Sequence, residues 1–165
     1  MSYTRRFSLL LAFLGVLLAA VGEGGAAASR PSLASGTVGN TSATFNSVKE
    51  AGGNLIVDVT ATAAYTGTFT GTSTINGTLI IHADGSANFH DVEVFTGTVN
   101  GVSGTVTFNL NGSNDATLAV HATATIVGAS GGLAGLHGVL HEVGTVVVPT
   151  GPVGTYRGEI ESAQP

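Results

Sequence analysis

The chain has no cysteine, no tryptophan and little charge, and each absence removes a class of function. Without cysteine there is no disulfide, no thiolate metal site and no cysteine nucleophile. Without tryptophan, a carbohydrate-stacking surface lacks its largest platform. Five Lys and Arg face ten Asp and Glu, a formal net charge of −5. A nucleic-acid binder needs the opposite balance to neutralise phosphates, so no nucleic-acid partner is expected. Charged residues make up 9% of the chain, against about 25% in ordinary domains. Low charge combined with low hydropathy would mean disorder, but the mean hydropathy is +0.40, and such a chain folds. Its 165 residues suffice for one domain.

The N-terminal residues 1–28 read as a secretory signal. Arg5 and Arg6 precede an apolar run from Leu9 to Val21, and Ala26-Ala27-Ala28 supplies small residues for a cut after Ala28. As a helix this run covers about 20 Å, short of the roughly 30 Å hydrocarbon core. No cysteine follows it to carry a lipid. The expectation is a secreted or extracytoplasmic protein beginning at Ser29, with no membrane association once cleaved. Residues 29–40 then form a flexible segment, 41–160 a single domain and 161–165 a tail.

From residue 37 onward Thr, Val, Ile, Ala and Phe dominate, punctuated by some of the chain's 25 glycines. These β-branched and aromatic types suit pleated strands. Leu55, Val57, Val59 and Ala61 alternate with Ile56, Asp58, Thr60 and Thr62, the signature of a strand with one wet face. Val120, Ala122 and Ala124 alternate likewise with His121, Thr123 and Thr125. Asp84-Gly85 and Asn100-Gly101 mark tight hairpins, because both central residues of a type I′ turn need positive φ. Asn111–Asp115 reads as a longer loop, and Asn76-Gly77 as a turn or a bulge. Strands are expected near 41–48, 54–65, 68–82, 86–96, 102–110, 116–127, 136–148 and 153–160. Gly128–Gly138 is expected to form a folded loop or a single helical turn. Eight antiparallel strands of this kind best close into an up-and-down barrel, which removes exposed edges. A β-sandwich is the alternative.

Three segments, Gly67–Thr74, His82–Ser86 and Glu93–Gly97, together resemble a bacterial family of uncharacterised domains, and Gly132–Gly138 is similar to its next signature. The resemblance covers residues 41–160 and implies a barrel related to allene oxide cyclases and dirigent proteins. It implies no activity, because none is established for the family. Two departures stand out: the Asn76-Gly77 break, and His137 where arginine is usual.

Among candidate site residues, Glu93 is the most suggestive. Phe89, Asp91, Glu93 and Phe95 share one face of a strand, and His90, Val92, Val94 and Thr96 the other. If the phenylalanines face inward, a carboxyl group sits in an apolar barrel, where burial raises its pKa and suits it to proton transfer. If the valines face inward, Glu93 is an ordinary solvated carboxylate, and this is the commoner arrangement. Aromatic burial argues the other way, and would gather Phe69, Phe89, Glu93, Phe95 and Phe108 inside as a ligand pocket.

The five histidines carry no metal-ligand spacing. His137 and His141 on a strand stand about 13 Å apart, so neither a metal nor another cofactor is expected. Gly128–Gly132 lacks the lysine and the strand–helix setting of a phosphate loop. The ladder Thr66, Thr68, Thr70, Thr72 and Thr74 raises a lattice-binding surface of the ice-binding kind, but barrel twist opposes the flatness this needs. Taken together, the expected function is non-catalytic binding of a small apolar molecule in the barrel mouth, or a stable scaffold. A cyclase- or isomerase-like enzyme using Glu93 is the alternative.

Overall fold

The computed structural model describes residues 31–162; the secretory-signal expectation falls on residues 1–28, outside them. The described chain is an eight-stranded antiparallel barrel: β1 Ser32–Ala51, β2 Asn54–Gly67, β3 Phe69–Ile81, β4 Ala87–Val99, β5 Val102–Asn114, β6 Ala119–Gly131, β7 His137–Val147 and β8 Gly151–Glu161. Each strand pairs with its neighbours in sequence, and β8 returns to β1 to close the ring. The expected barrel is therefore present, and the sandwich is not.

Two expectations about the first three strands are corrected. The chain enters the barrel at Ser32 rather than at 41, because Ser32–Gly39 pairs with β8 on one side while Gly36–Gly39 already pairs with β2 on the other. This segment is strand, not a flexible leader, and its alternation was hidden by small residues such as Ala34 and Gly36. Asn76-Gly77 is neither turn nor bulge: both residues lie in uninterrupted register between β2 and β4. Glycine is required there for another reason. A side chain at Gly77 would collide with the Asp91 carboxyl group lying across it.

The turns follow their chemistry. Asn100 and Gly101 take φ of 50° and 83°, as a type I′ hairpin demands. Asn111–Asn114 belongs to β5, so the expected loop begins later. There Asp115 Oδ1 accepts hydrogen bonds from the backbone N–H groups of Thr117, at 2.8 Å, and Ala119, at 3.0 Å.

The barrel interior divides into two halves. One half is packed solid by Phe69, Phe95, Phe108, Tyr65 and Tyr156, all buried, with neighbouring ring centroids 5.4–6.5 Å apart. Leu133 and Leu136, from the short turn between β6 and β7, are buried against this cluster and close that end. The turn is knitted by Leu136 N–H donating to the Leu133 carbonyl at 2.9 Å. The Tyr156 hydroxyl donates to the Thr66 carbonyl at 3.0 Å and accepts from Phe69 N–H at 2.8 Å. These bonds pair polar groups that burial would otherwise leave unsatisfied.

Candidate functional site

The other half of the interior is hollow. A cavity of about 330 Å³ opens at the barrel end where the β1–β2 and β7–β8 turns lie. Its wall is mostly apolar, with Val59, Ala61, Ile75, Leu79, Phe89 and Leu110 among its residues. Pro149, Pro152 and the 61%-exposed Phe45 also border it, towards the mouth.

Of the five residues expected to share a pocket, Phe69, Phe95 and Phe108 lie in the packed half and do not line the cavity; Phe89 and Glu93 do. The orientation of β4 is the aromatic-inward one. Val92 and Val94 are on the outer wall, 43% and 39% exposed, and Glu93 is buried. The valine-inward expectation is thus overturned, because burying two large rings on one strand face carries the carboxyl group between them inward.

Glu93 sits where the two halves meet. Its Oε1 accepts a hydrogen bond from the Tyr65 hydroxyl at 2.9 Å and another from the Ser73 hydroxyl. Burial raises its pKa, and the two hydroxyls only partly offset this. Burial, followed by the neighbouring charges of Glu93 and Glu142, likewise pushes the Tyr65 phenol well above its ordinary value, so it stays a donor.

Two further carboxyl groups line the cavity with Glu93. Asp91, on the same face of β4, is raised by burial to about 6. Glu142, on β7 between Ala122 and Tyr156 in register, is raised by burial, and then by Glu93 and Asp91, to about 8. Its Oε1 is sealed from solvent and receives no hydrogen bond. Against these three acids the described residues offer no cation inside: Lys49 and Arg157 are both exposed and neither lines the cavity.

Sequence reasoning missed Tyr65, Ser73 and Glu142, and named Asp91 only as Glu93's strand neighbour. The signal for each was parity. Tyr65 continues the face of Val57, Val59 and Ala61; Ser73 stands between Phe69 and Ile75 on the face opposite the threonines; Glu142 shares its face with Leu140.

The histidines look elsewhere. His82, His90 and His141 bond side chains of Asn54, Asn111 and Thr123, and His137 pairs with Glu161 at 3.3 Å. Among the described residues no three His, Asp or Glu side chains are grouped to hold a metal. The threonine ladder lies outside on a closed, curved wall, where Thr37 and Thr66 share a hydrogen bond at 2.7 Å.

Comparison with known families finds one described as "Protein of unknown function (DUF3224)", whose profile matches residues 34–145. Among solved structures the chain is similar to a Shewanella oneidensis MR-1 protein of unknown function from the DUF3224 family. The two are 16% identical with a TM-score of 0.60, over 82% of this chain and 100% of that one. A likeness at that identity speaks to the fold. No curated protein matches the chain.

Proposed function

We propose that this chain, which belongs to the DUF3224 family, holds a small, largely apolar molecule in the hollow half of its barrel. The observation that supports this is the asymmetry of the interior: one half is packed to exclusion while the other keeps an apolar-walled cavity of about 330 Å³. Ligand pockets run from about 300 Å³ upward. An apolar cavity of about 150 Å³ holds one benzene, so this one suits a ligand of roughly a dozen non-hydrogen atoms. The packed half acts as a rigid floor, which keeps the walls preorganised.

The test is calorimetric titration with phenylbutanol, an aromatic alcohol of that size, against the native chain and Ala43→Phe. Ala43 lines the cavity opposite Ala61, and a ring there fills the space a ligand would use. Binding to the native chain, weakened at least about tenfold (about 1.4 kcal/mol) in the variant, is the expected result. No binding, or equal affinity in both, overturns the reading.

A second reading, proton transfer of the isomerase or cyclase kind, is favoured by Glu93, a buried acid held by two hydroxyls at the cavity floor. The kinship to allene oxide cyclases and dirigent proteins implied by the motifs around it points the same way. The readings separate on the fate of the ligand. A carrier returns it unchanged after long incubation, whereas an enzyme returns an isomer of equal mass, and Glu93→Gln stops the conversion.

The proposed place of action is outside the cytoplasm, on the pattern of residues 1–28. Intact-mass measurement of exported protein is expected to show a chain beginning at Ser29. Full-length chain held in the membrane fraction is the contrary outcome.

A further inference from the structure

The cavity's titratable side chains are all acids, and its other polar side chains are the amides of Asn40 and Asn114, the latter donating to the Gly85 and Asp115 carbonyls. Asp91 and Glu93 project from β4 and Glu142 from β7, and no Lys, Arg or His among the described residues lines the space they share. The other titratable groups buried inside the barrel on the adjoining strands are Tyr65 on β2, which donates to Glu93, and Tyr156 on β8, whose hydroxyl is held by Thr66 and Phe69, whereas Asp58, His90, His121, His141 and Arg157 lie on the outer face. Glu93 therefore has its donors. Glu142 does not, since its Oε1 is buried with no partner.

A buried acceptor without a donor is costly, and a barrel with 22 buried hydrophobic residues elsewhere could have placed another here. What would satisfy Glu142 is a ligand that brings the missing donor. A neutral alcohol offers one donor; an alkylammonium offers three and a positive charge. A carboxylate ligand offers none and meets like charge. A bare metal ion is not favoured, because the three acids are not gathered closely enough to ligate one together. The Glu142 carboxyl can turn about its terminal torsion, which is soft, and so present either oxygen to the cavity. The apolar wall and the Phe89 ring would receive the hydrocarbon part, and an aromatic face also attracts a cation.

We propose that the molecule held in this barrel is an apolar primary amine, bound as its ammonium ion with Glu142 as the principal counter-ion. This rests on the reading of the cavity as a binding site, and names its ligand class. Binding then exchanges one cation for another. The ammonium enters, a carboxyl proton leaves to solvent, and the net charge inside is unchanged.

The experiment titrates three molecules of one shape, phenylbutylamine, phenylbutanol and phenylbutanoate, into the native chain and into Glu142→Gln near neutral pH. The native chain is expected to bind the amine at least about tenfold more tightly than the alcohol, and to bind the carboxylate most weakly. Repeating the amine titration in buffers of different ionisation heat is expected to show proton release. In Glu142→Gln the amine's advantage over the alcohol should be lost. An alcohol that binds as well as the amine, an amine preference that survives in Glu142→Gln, or amine binding without proton release overturns the amine assignment while leaving the apolar pocket standing. Failure of all three molecules to bind removes both.

Discussion

Raising the pH of the ligand-free protein from about 5 to about 8.5 is expected to destabilise it by roughly 3–5 kcal/mol, and Glu142→Gln to abolish most of that loss. The cause is the carboxyl group on β7. In the unfolded chain it ionises near the ordinary 4.5, and in the barrel near 8. Between those values the folded state binds a proton that the unfolded state has lost. The stability this proton contributes is complete below about pH 4.5 and drains away as the pH climbs towards 8. Asp91 adds a smaller loss of the same sign, spent as the pH rises through about 6. Most proteins lose stability on acidification because their carboxylates are paired; here the interior acids are stabilised by staying neutral. Glutamine keeps the shape and discards the titration, so the variant should be the more stable protein at alkaline pH. Urea unfolding at the two pH values measures both effects. A native stability that is flat or rises over this interval would refute the account.

Phe69→Ala should cost about 3–5 kcal/mol, the usual range for deleting a fully buried phenylalanine. Phe69 is 0% exposed and sits at the centre of the packed half. Its ring lies 5.4 Å from that of Phe95, 5.7 Å from Phe108 and 5.8 Å from Tyr156, with tilted or edge-on geometry in each case. Four strands supply the surrounding rings, so backbone shifts that would refill the gap are opposed from several sides. Phe69 does not line the cavity. The expected pattern is therefore a large fall in the urea midpoint with phenylbutanol affinity little changed in the protein that remains folded. A cost below about 1 kcal/mol would mean that the floor collapses freely and is not the rigid body described.

Much of this fold is legible from side-chain parity. Alternation along Leu55–Thr62 and Val120–Thr125, with the Asn100-Gly101 turn, dictates strands and hairpins because a pleated strand has only two faces. The first half of β1 was illegible for the same reason: Ala34, Gly36 and Gly39 carry too little side chain to show a face. Parity also delivers Glu93 with Phe89 and Phe95 as one set, yet does not say which set faces inward. That choice belongs to the whole ring, where aromatic residues from β2, β3, β4, β5 and β8 compete for one interior. The division into a solid half and a hollow half was equally hidden. It depends on depth along the barrel axis, fixed by the register between paired strands and not by the pattern within any one of them, such as Phe69 opposite Val99 and Glu142 opposite Tyr156. Parity with Leu140 marks Glu142 only as a residue of one strand face, and its position across the cavity from β4 gives it meaning.

A closed ring has no edge only where every strand is flanked on both sides, and β1 is not flanked along its whole length. Its pairing with β8 stops at Gly39, whereas its pairing with β2 continues to Ala51. The stretch from Asn40 to Ala51 is thus a free margin with backbone groups turned outward, the kind of surface that invites a strand from another molecule to add on. Both interruptions of the β1–β2 register, between Asn40 and Ser42 and between Phe45 and Ser47, fall within that stretch. Each extra residue bends and twists the margin away from the straight template that strand addition needs. Lys49 and Glu50 place charge at its tip. With charged residues at only 9% of the chain, these two irregularities are the kind of device by which a free strand margin is blunted against a second copy.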